Sequence, residues 1–186
     1  LSAAKVAMGM GAHVTIIDSN INRLRQIDDL YGQKIQTIYS NAFNIAAAVK
    51  KADLLVGSVL IPGAKTPKLV TEAMVKTMKK GAAIVDVAID QGGCIETTAR
   101  HGATYHDNPT FMEHGVVHYS VGNMPGAVAR TSTFSLTNAT MPYMLALAND
   151  GWKKACAKDK ALARGINTAD GKVFFKGVAE ALGYEA

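Results

Sequence analysis

Ile84–Cys94 reads IVDVAIDQGGC, a β-branched apolar run that ends on a carboxylate, a glutamine and two glycines. Ala83, Ile84, Val85, Val87, Ala88 and Ile89 have the composition of a strand buried on both faces, as in a parallel sheet covered by helices. Ligands of such sheets gather at the carboxyl ends of the strands. This reading places Asp90, Gln91, Gly92 and Gly93 there, with glycines that accept positive φ and let backbone approach a ligand. Taken alone, Asp-Gln-Gly-Gly also suits a turn in which the acid caps its own backbone. The rest of the chain shifts the balance toward a ligand site.

On the amino side of this strand, strands and helices alternate. Leu1–Met10 is small and amphipathic and stops at Gly11; His13–Asp18 is a strand ending on an acid. Asn20–Tyr31 carries Ile21, Leu24, Ile27 and Leu30 at helical spacing, capped by Ser19 or Asn20, and Lys34–Tyr39 is the next strand. Asn41 caps a helix running to Lys51, and Asp53–Leu60 is a third strand. Thr66-Pro67 has the chemistry of an N-cap followed by proline at the first helical position, which predicts a helix from there to about Lys79. Strict alternation with short connections predicts an α/β fold with a doubly wound parallel sheet.

On the carboxyl side, Thr97–Thr110 is polar and turn-rich, and Val116–Val121 is a last strand closing at Gly122-Asn123-Met124-Pro125-Gly126. From Arg130 the composition becomes helical, to Asn149 and again from Trp152 to about Arg164, with a weaker segment to Ala186. The expected division is therefore a nucleotide-binding domain at 1–129 and a helical part at 130–186. The chain opens at Leu1 directly in a helical pattern, without a lead-in for that helix's first N–H groups, so it is expected to be a fragment of a longer protein.

A chain of 186 residues can bury a sizeable core without disulfides. Its two cysteines, Cys94 and Cys156, form neither a disulfide framework nor a metal motif, so a cytoplasmic location is expected. No apolar run reaches membrane-spanning length and no signal-like stretch opens the chain. The net charge of +5 is spread among interleaved acids with no aromatic and basic platform, which argues against a nucleic-acid partner. The histidines at 13, 101, 106, 114 and 118 make no ligand pair at helical spacing, so no metal centre is expected.

Three groups of residues are candidates for chemistry. Asp18, at the end of the strand after a small-residue helix, stands where a dinucleotide-binding fold engages the adenosine ribose, though a strand-end acid can also simply cap the next helix. The glycine fingerprint itself is absent; Leu1 stands where the residue after its third glycine would be. Val59 and Leu60, beside Ile61-Pro62-Gly63, could pack a flat ring or merely close a buried strand. Asn123 and Met124 offer an amide for a carboxamide and a thioether for a ring, or an ordinary loop.

Together the stretches GMGAHVTIID, VLIPGAKTPKLV, VDVAIDQGGC, HDNPTF, VGNMPGAVARTST and LTNATMPY resemble the C-terminal half of bacterial L-alanine dehydrogenases, over nearly the whole chain. The resemblance implies a Rossmann-like domain whose first strand and glycine loop are missing, followed by helices of the substrate domain. It also implies NAD-dependent, reversible oxidative deamination of L-alanine to pyruvate and ammonia, in a homo-oligomer, usually a hexamer. By that resemblance Asp18 matches the ribose ligand, Arg23 and Ser40 lie beside the adenosine, and Val59, Leu60 and Val87 contact the cofactor. Asp90 matches the catalytic acid, and Asn123 and Met124 the nicotinamide end. The family's substrate-binding Arg and Lys and its catalytic His belong to an N-terminal domain that this chain lacks. The alternatives are the NAD-binding subunit of proton-translocating transhydrogenase, which the IDQGGC and NMPGAVARTST stretches disfavour, and a non-catalytic nucleotide-binding module.

Overall fold

The structure is a computed structural model that describes residues 1–59 and 66–184. They form two compact units, one of Leu1–Val59 with Thr66–Gly122 and one from Asn123 onward, dividing the chain somewhat ahead of Arg130.

In the first unit the order is α1 (Ser2–Gly9), β1 (Val14–Asp18), α2 (Ile21–Tyr31), β2 (Ile35–Tyr39), α3 (Ala42–Lys51), β3 (Leu54–Gly57) and α4 (Glu72–Val75). Then come β4 (Ala83–Asp86), α5 (Glu96–His101), β5 (Thr110–Glu113) and β6 (Val116–Tyr119). The caps follow from local chemistry. Asn20, rather than Ser19, accepts the Arg23 N–H at 3.1 Å, and Asn41 accepts that of Asn44 at 2.7 Å, each satisfying a first-turn donor. Leu24 and Ile27 give α2 its buried stripe, and Ile45 and Val49 give α3 its own.

The class is α/β with parallel pairing, as expected, but the sheet comes in two pieces. β1 pairs with β2, and β3, β4 and β6 form a second parallel ladder. Among the described residues no ladder joins β1 to β3. Leu54 and Val56 on β3 are accordingly 54% and 38% exposed, despite an apolar composition suited to a covered strand. The main core lies under the larger sheet, where Val49, Val75, Ile84, Ile95 and Val116 are all but inaccessible.

β5 was not expected from the polar segment before it. It pairs antiparallel with β6, and the loop between Glu113 and Val116 is His114-Gly115, both at positive φ (53° and 77°). Two such residues form the tight turn whose twist suits a hairpin. The hairpin is tied to the helices through Glu72, about a quarter exposed, whose carboxylate meets Arg100 at 2.7 Å, Lys76 at 2.9 Å and His114 at 2.8 Å. Arg100 also pairs with Glu113. Hydrogen bonds from Arg100 foremost, then from Lys76 and His114, hold the Glu72 carboxyl down at about 2, from an ordinary 4.5. A folded-state value below the unfolded one means stabilisation that is complete above pH 4.5 and disappears as pH falls through about 2. Glu72→Gln should therefore lower the melting temperature near neutral pH, and the two melting curves should converge as the pH approaches 2. Added salt should narrow the gap, since the network is solvent-facing.

In the second unit a 3₁₀ turn at Met124–Val128 leads into α6 (Ala129–Lys158), then α7 (Lys160–Arg164), β7 (Thr168–Ala169), β8 (Lys172–Val173) and α8 (Lys176–Leu182). Gly151, at φ 71° and ψ 160°, breaks α6 at the expected gap between Asn149 and Trp152. Phe134, Leu136, Met141, Met144 and Leu145 on α6 are exposed. Among the described residues no helix is long and apolar enough to cross a membrane.

Candidate functional site

β4 stops at Asp86, short of the expected Ile89, and Asp90 sits instead in a single 3₁₀ turn, Ile89–Gln91. Asp86 is the cause. Its fully buried carboxylate accepts from the N–H groups of Ala88 (3.1 Å), Cys94 (3.0 Å) and Ile95 (3.2 Å) and from the Thr98 hydroxyl. These donors lie on both sides of the turn, so one carboxylate gathers its entry and its exit. Gly92 and Gly93 follow at φ 89° and 72°. At Gly93 a Cβ would fall 2.8 Å from Asp86 Oδ2, so the site needs glycine for space as well as for backbone.

Sequence reading missed Asp86, taking it as one residue of the strand. The signal was present: an acid inside a buried apolar run requires partners, and N–H groups of a following glycine-rich turn are natural ones.

Cys94 donates its thiol to Asp86 Oδ1 at 3.5 Å. Burial, reinforced by that carboxylate, pushes the thiol up to about 12, so it is neutral and unreactive. β3 passes so close that a Cβ on Gly57 would lie 2.5 Å from Cys94 Sγ. The Val87 N–H donates to the Gly57 carbonyl at 2.8 Å, which locks the start of the turn to β3. The segment 66–70 runs beside 91–96: Leu69 N donates to the Cys94 carbonyl at 2.9 Å, Glu96 N to that of Val70 at 2.9 Å, and Val70 bridges Ile95. That pairing is why no helix begins at Thr66-Pro67. The helix starts later, at Glu72, with Thr71 Oγ1 accepting from Met74 N at 3.3 Å.

The remaining candidates lie as follows. Asp18 ends β1, partly exposed, with Oδ1 accepting from Asn20 N at 2.8 Å, and its carbonyl accepts from Ser40 N at 2.9 Å. Arg23, in the first turn of α2, contacts Gln26. Asp18, Asn20, Arg23 and Ser40 thus share the carboxyl ends of β1 and β2. Val59 is partly buried against the core and Val87 is 45% exposed; Leu60 lies outside the described residues. Gly122, just past β6, stands against Asp90, where its Cβ would be 3.4 Å from the Asp90 Oδ1. Asn123, left-handed at φ 53°, and Met124 belong to the second unit.

Among the histidines, His114 pairs with Glu72, and His101 and His118 pack. His101, Phe111 and His118 form a ring stack with centroids 3.7 and 4.7 Å apart. His118 is buried, with Nδ1 donating to the Val116 carbonyl and Nε2 accepting from Thr97, and burial lowers its proton affinity.

Comparison with known proteins places this arrangement. Residues 1–176 match the family described as "Alanine dehydrogenase/PNT, C-terminal domain". The chain belongs to that family. Alanine dehydrogenase of Bilophila wadsworthia (strain 3_1_6) is 82% identical over 189 aligned positions that take in 100% of this chain and 50% of the relative. That of Bacillus subtilis (strain 168) is 61% identical over 99% of this chain and 48% of its own length. A solved L-alanine dehydrogenase superimposes with a TM-score of 0.82 at 46% identity, over 97% of this chain and 49% of that one. A transhydrogenase from Sinorhizobium meliloti gives 0.60 at 30% identity, over 71% of this chain and 36% of that one. This member of the alanine dehydrogenase/PNT family spans about half the length of the curated relatives it matches.

Proposed function

We propose that the chain supplies the NAD-binding half of an L-alanine dehydrogenase, which converts L-alanine, NAD⁺ and water reversibly to pyruvate, ammonia (as ammonium), NADH and a proton. The observation that carries this is the placement of Asp18 with Ser40 at the carboxyl ends of β1 and β2, and of Asp90 with Gly122 just beyond those of β4 and β6, in one unit. The donor set fits the cofactor. The Asp18 carboxylate has the two acceptor oxygens that a vicinal ribose diol requires, and Arg23 and Ser40 flank it beside the adenosine. Val59 and Val87, of the same unit, supply apolar contacts. Bound NAD supplies the hydride acceptor.

Asp90 takes and returns protons as the amine is neutralised and the imine is hydrated and collapses. The glycine loop and first strand that the resemblance implies, with the substrate-binding Arg and Lys and the catalytic His, come from the N-terminal half of the enzyme. It assembles as a cytoplasmic homo-hexamer.

The transhydrogenase reading rests on the weaker structural likeness, 0.60 against 0.82. Both readings are tested in a hybrid enzyme joining this chain to the N-terminal half of the Bilophila relative. NADH formation that starts only on addition of L-alanine supports the dehydrogenase; hydride exchange between nicotinamide nucleotides without an amino acid contradicts it. With alanine saturating, kcat/KM for NAD should exceed that for NADP by tenfold or more. At ~5 Å and an effective dielectric of 20 to 80, Asp18 opposes each unit charge of the 2′-phosphate by about 1 to 3 kcal/mol.

A further inference from the structure

Lys68 lies on the extended segment that runs beside the Asp90 turn, and its exposed side chain does not point away into solvent. Its Nζ donates to the carbonyls of Gly92 and Gly93, the latter at 2.6 Å, with the Thr66 carbonyl at 3.5 Å. Among the described residues all its hydrogen bonds go to backbone carbonyls and none to a carboxylate, unlike an ordinary surface lysine. The Gly92 and Gly93 carbonyl oxygens both lie within hydrogen-bond reach of that one Nζ, close enough to repel each other. An ammonium with three donors relieves that repulsion. The turn is thus held between opposite charges: Asp86 beneath collects its N–H groups, and Lys68 outside collects its carbonyls.

We propose that Lys68 is a positioning residue for the reaction, its ammonium bridging the Gly92 and Gly93 carbonyls so that the turn presents Asp90 in one fixed place. The proposal rests on the reading of Asp90 as the proton-transfer group. It concerns turnover rather than folding, because Lys68 is exposed and its two shortest hydrogen bonds both go to the turn.

The test uses the hybrid enzyme with Lys68→Met, which keeps the apolar stem and removes the charge. A misplaced acid–base group should lower kcat roughly tenfold, while NADH affinity stays within about twofold. The melting temperature should hold. In Lys68→Ala, ethylammonium should restore part of kcat in a saturable way, whereas tetramethylammonium, of equal charge but without donors, should not. A Lys68→Met enzyme with kcat within twofold of the unsubstituted one overturns the proposal. So does a fall in kcat that tracks loss of folded protein and that ethylammonium does not restore. Asp90→Asn, assayed alongside, separates the two levels. If it leaves turnover intact, the reading of Asp90 fails; if it abolishes turnover and Lys68→Met does not, only the role of Lys68 fails.

Discussion

Asp86→Ala is expected to destabilise the enzyme by about 3 to 5 kcal/mol, because it strands several buried donors at once, each costing ~1 to 3 kcal/mol when unpaired, with partial relief by water. The N–H groups of Ala88, Cys94 and Ile95 and the Thr98 hydroxyl all converge on that one carboxylate. Asp86→Asn should help little. An amide keeps one acceptor oxygen and turns an NH₂ toward N–H donors, since both carboxylate oxygens are engaged. Thr98→Val, which removes a single donor, should cost only about 1 kcal/mol. Thermal unfolding of the hybrid enzyme gives the ranking, and hydrogen exchange localises it. The amides of Ala88, Cys94 and Ile95 should lose protection in Asp86→Ala before those of α2 do. Equal protection of these amides in both proteins would show that Asp86 does not hold the turn.

The parts of this fold that were legible in the sequence are those fixed locally. Asn20 and Asn41 cap the helices that follow them because a short side-chain acceptor reaches its own first turn. Gly151 interrupts α6 because φ of 71° is cheap only for glycine, and it separates the helical stretches on either side. What was not legible depends on residues distant in sequence. Thr66-Pro67 has good helix-start chemistry, yet residues 66–70 pair with 91–96, and those tertiary bonds outweigh the local preference. β5 follows a polar segment and is recognisable only through His114-Gly115, a dipeptide suited to a tight hairpin. The split between β1 and β3 has no local signature at all.

The candidate site divides along the same line. Asp18 and Asp90 are visible because each follows an apolar run and stands near a strand's carboxyl end. Asp86 and Lys68 are invisible because their roles are set by backbone groups they meet only in the folded chain. Lys68 finds its carbonyls 24 and 25 positions away, and in the sequence it is one cation among many.

Asp90→Asn in the hybrid enzyme carries the central claim. The substitution keeps the size of the side chain and most of its hydrogen bonding while removing the proton acceptor, so kcat should fall by roughly 10² or more and NAD affinity should change little. A carboxylate that only capped its turn would behave differently, costing about 1 kcal/mol of stability and leaving each folded active site nearly as fast as before. The deciding quantity is alanine-dependent turnover per NAD-binding site, with NAD binding and melting temperature measured on the same preparation. A drop of about a hundredfold or more at unchanged NAD occupancy is the predicted result. Turnover per site within a few fold of the unsubstituted enzyme would contradict the account and pass the acid–base role to a residue of the N-terminal half.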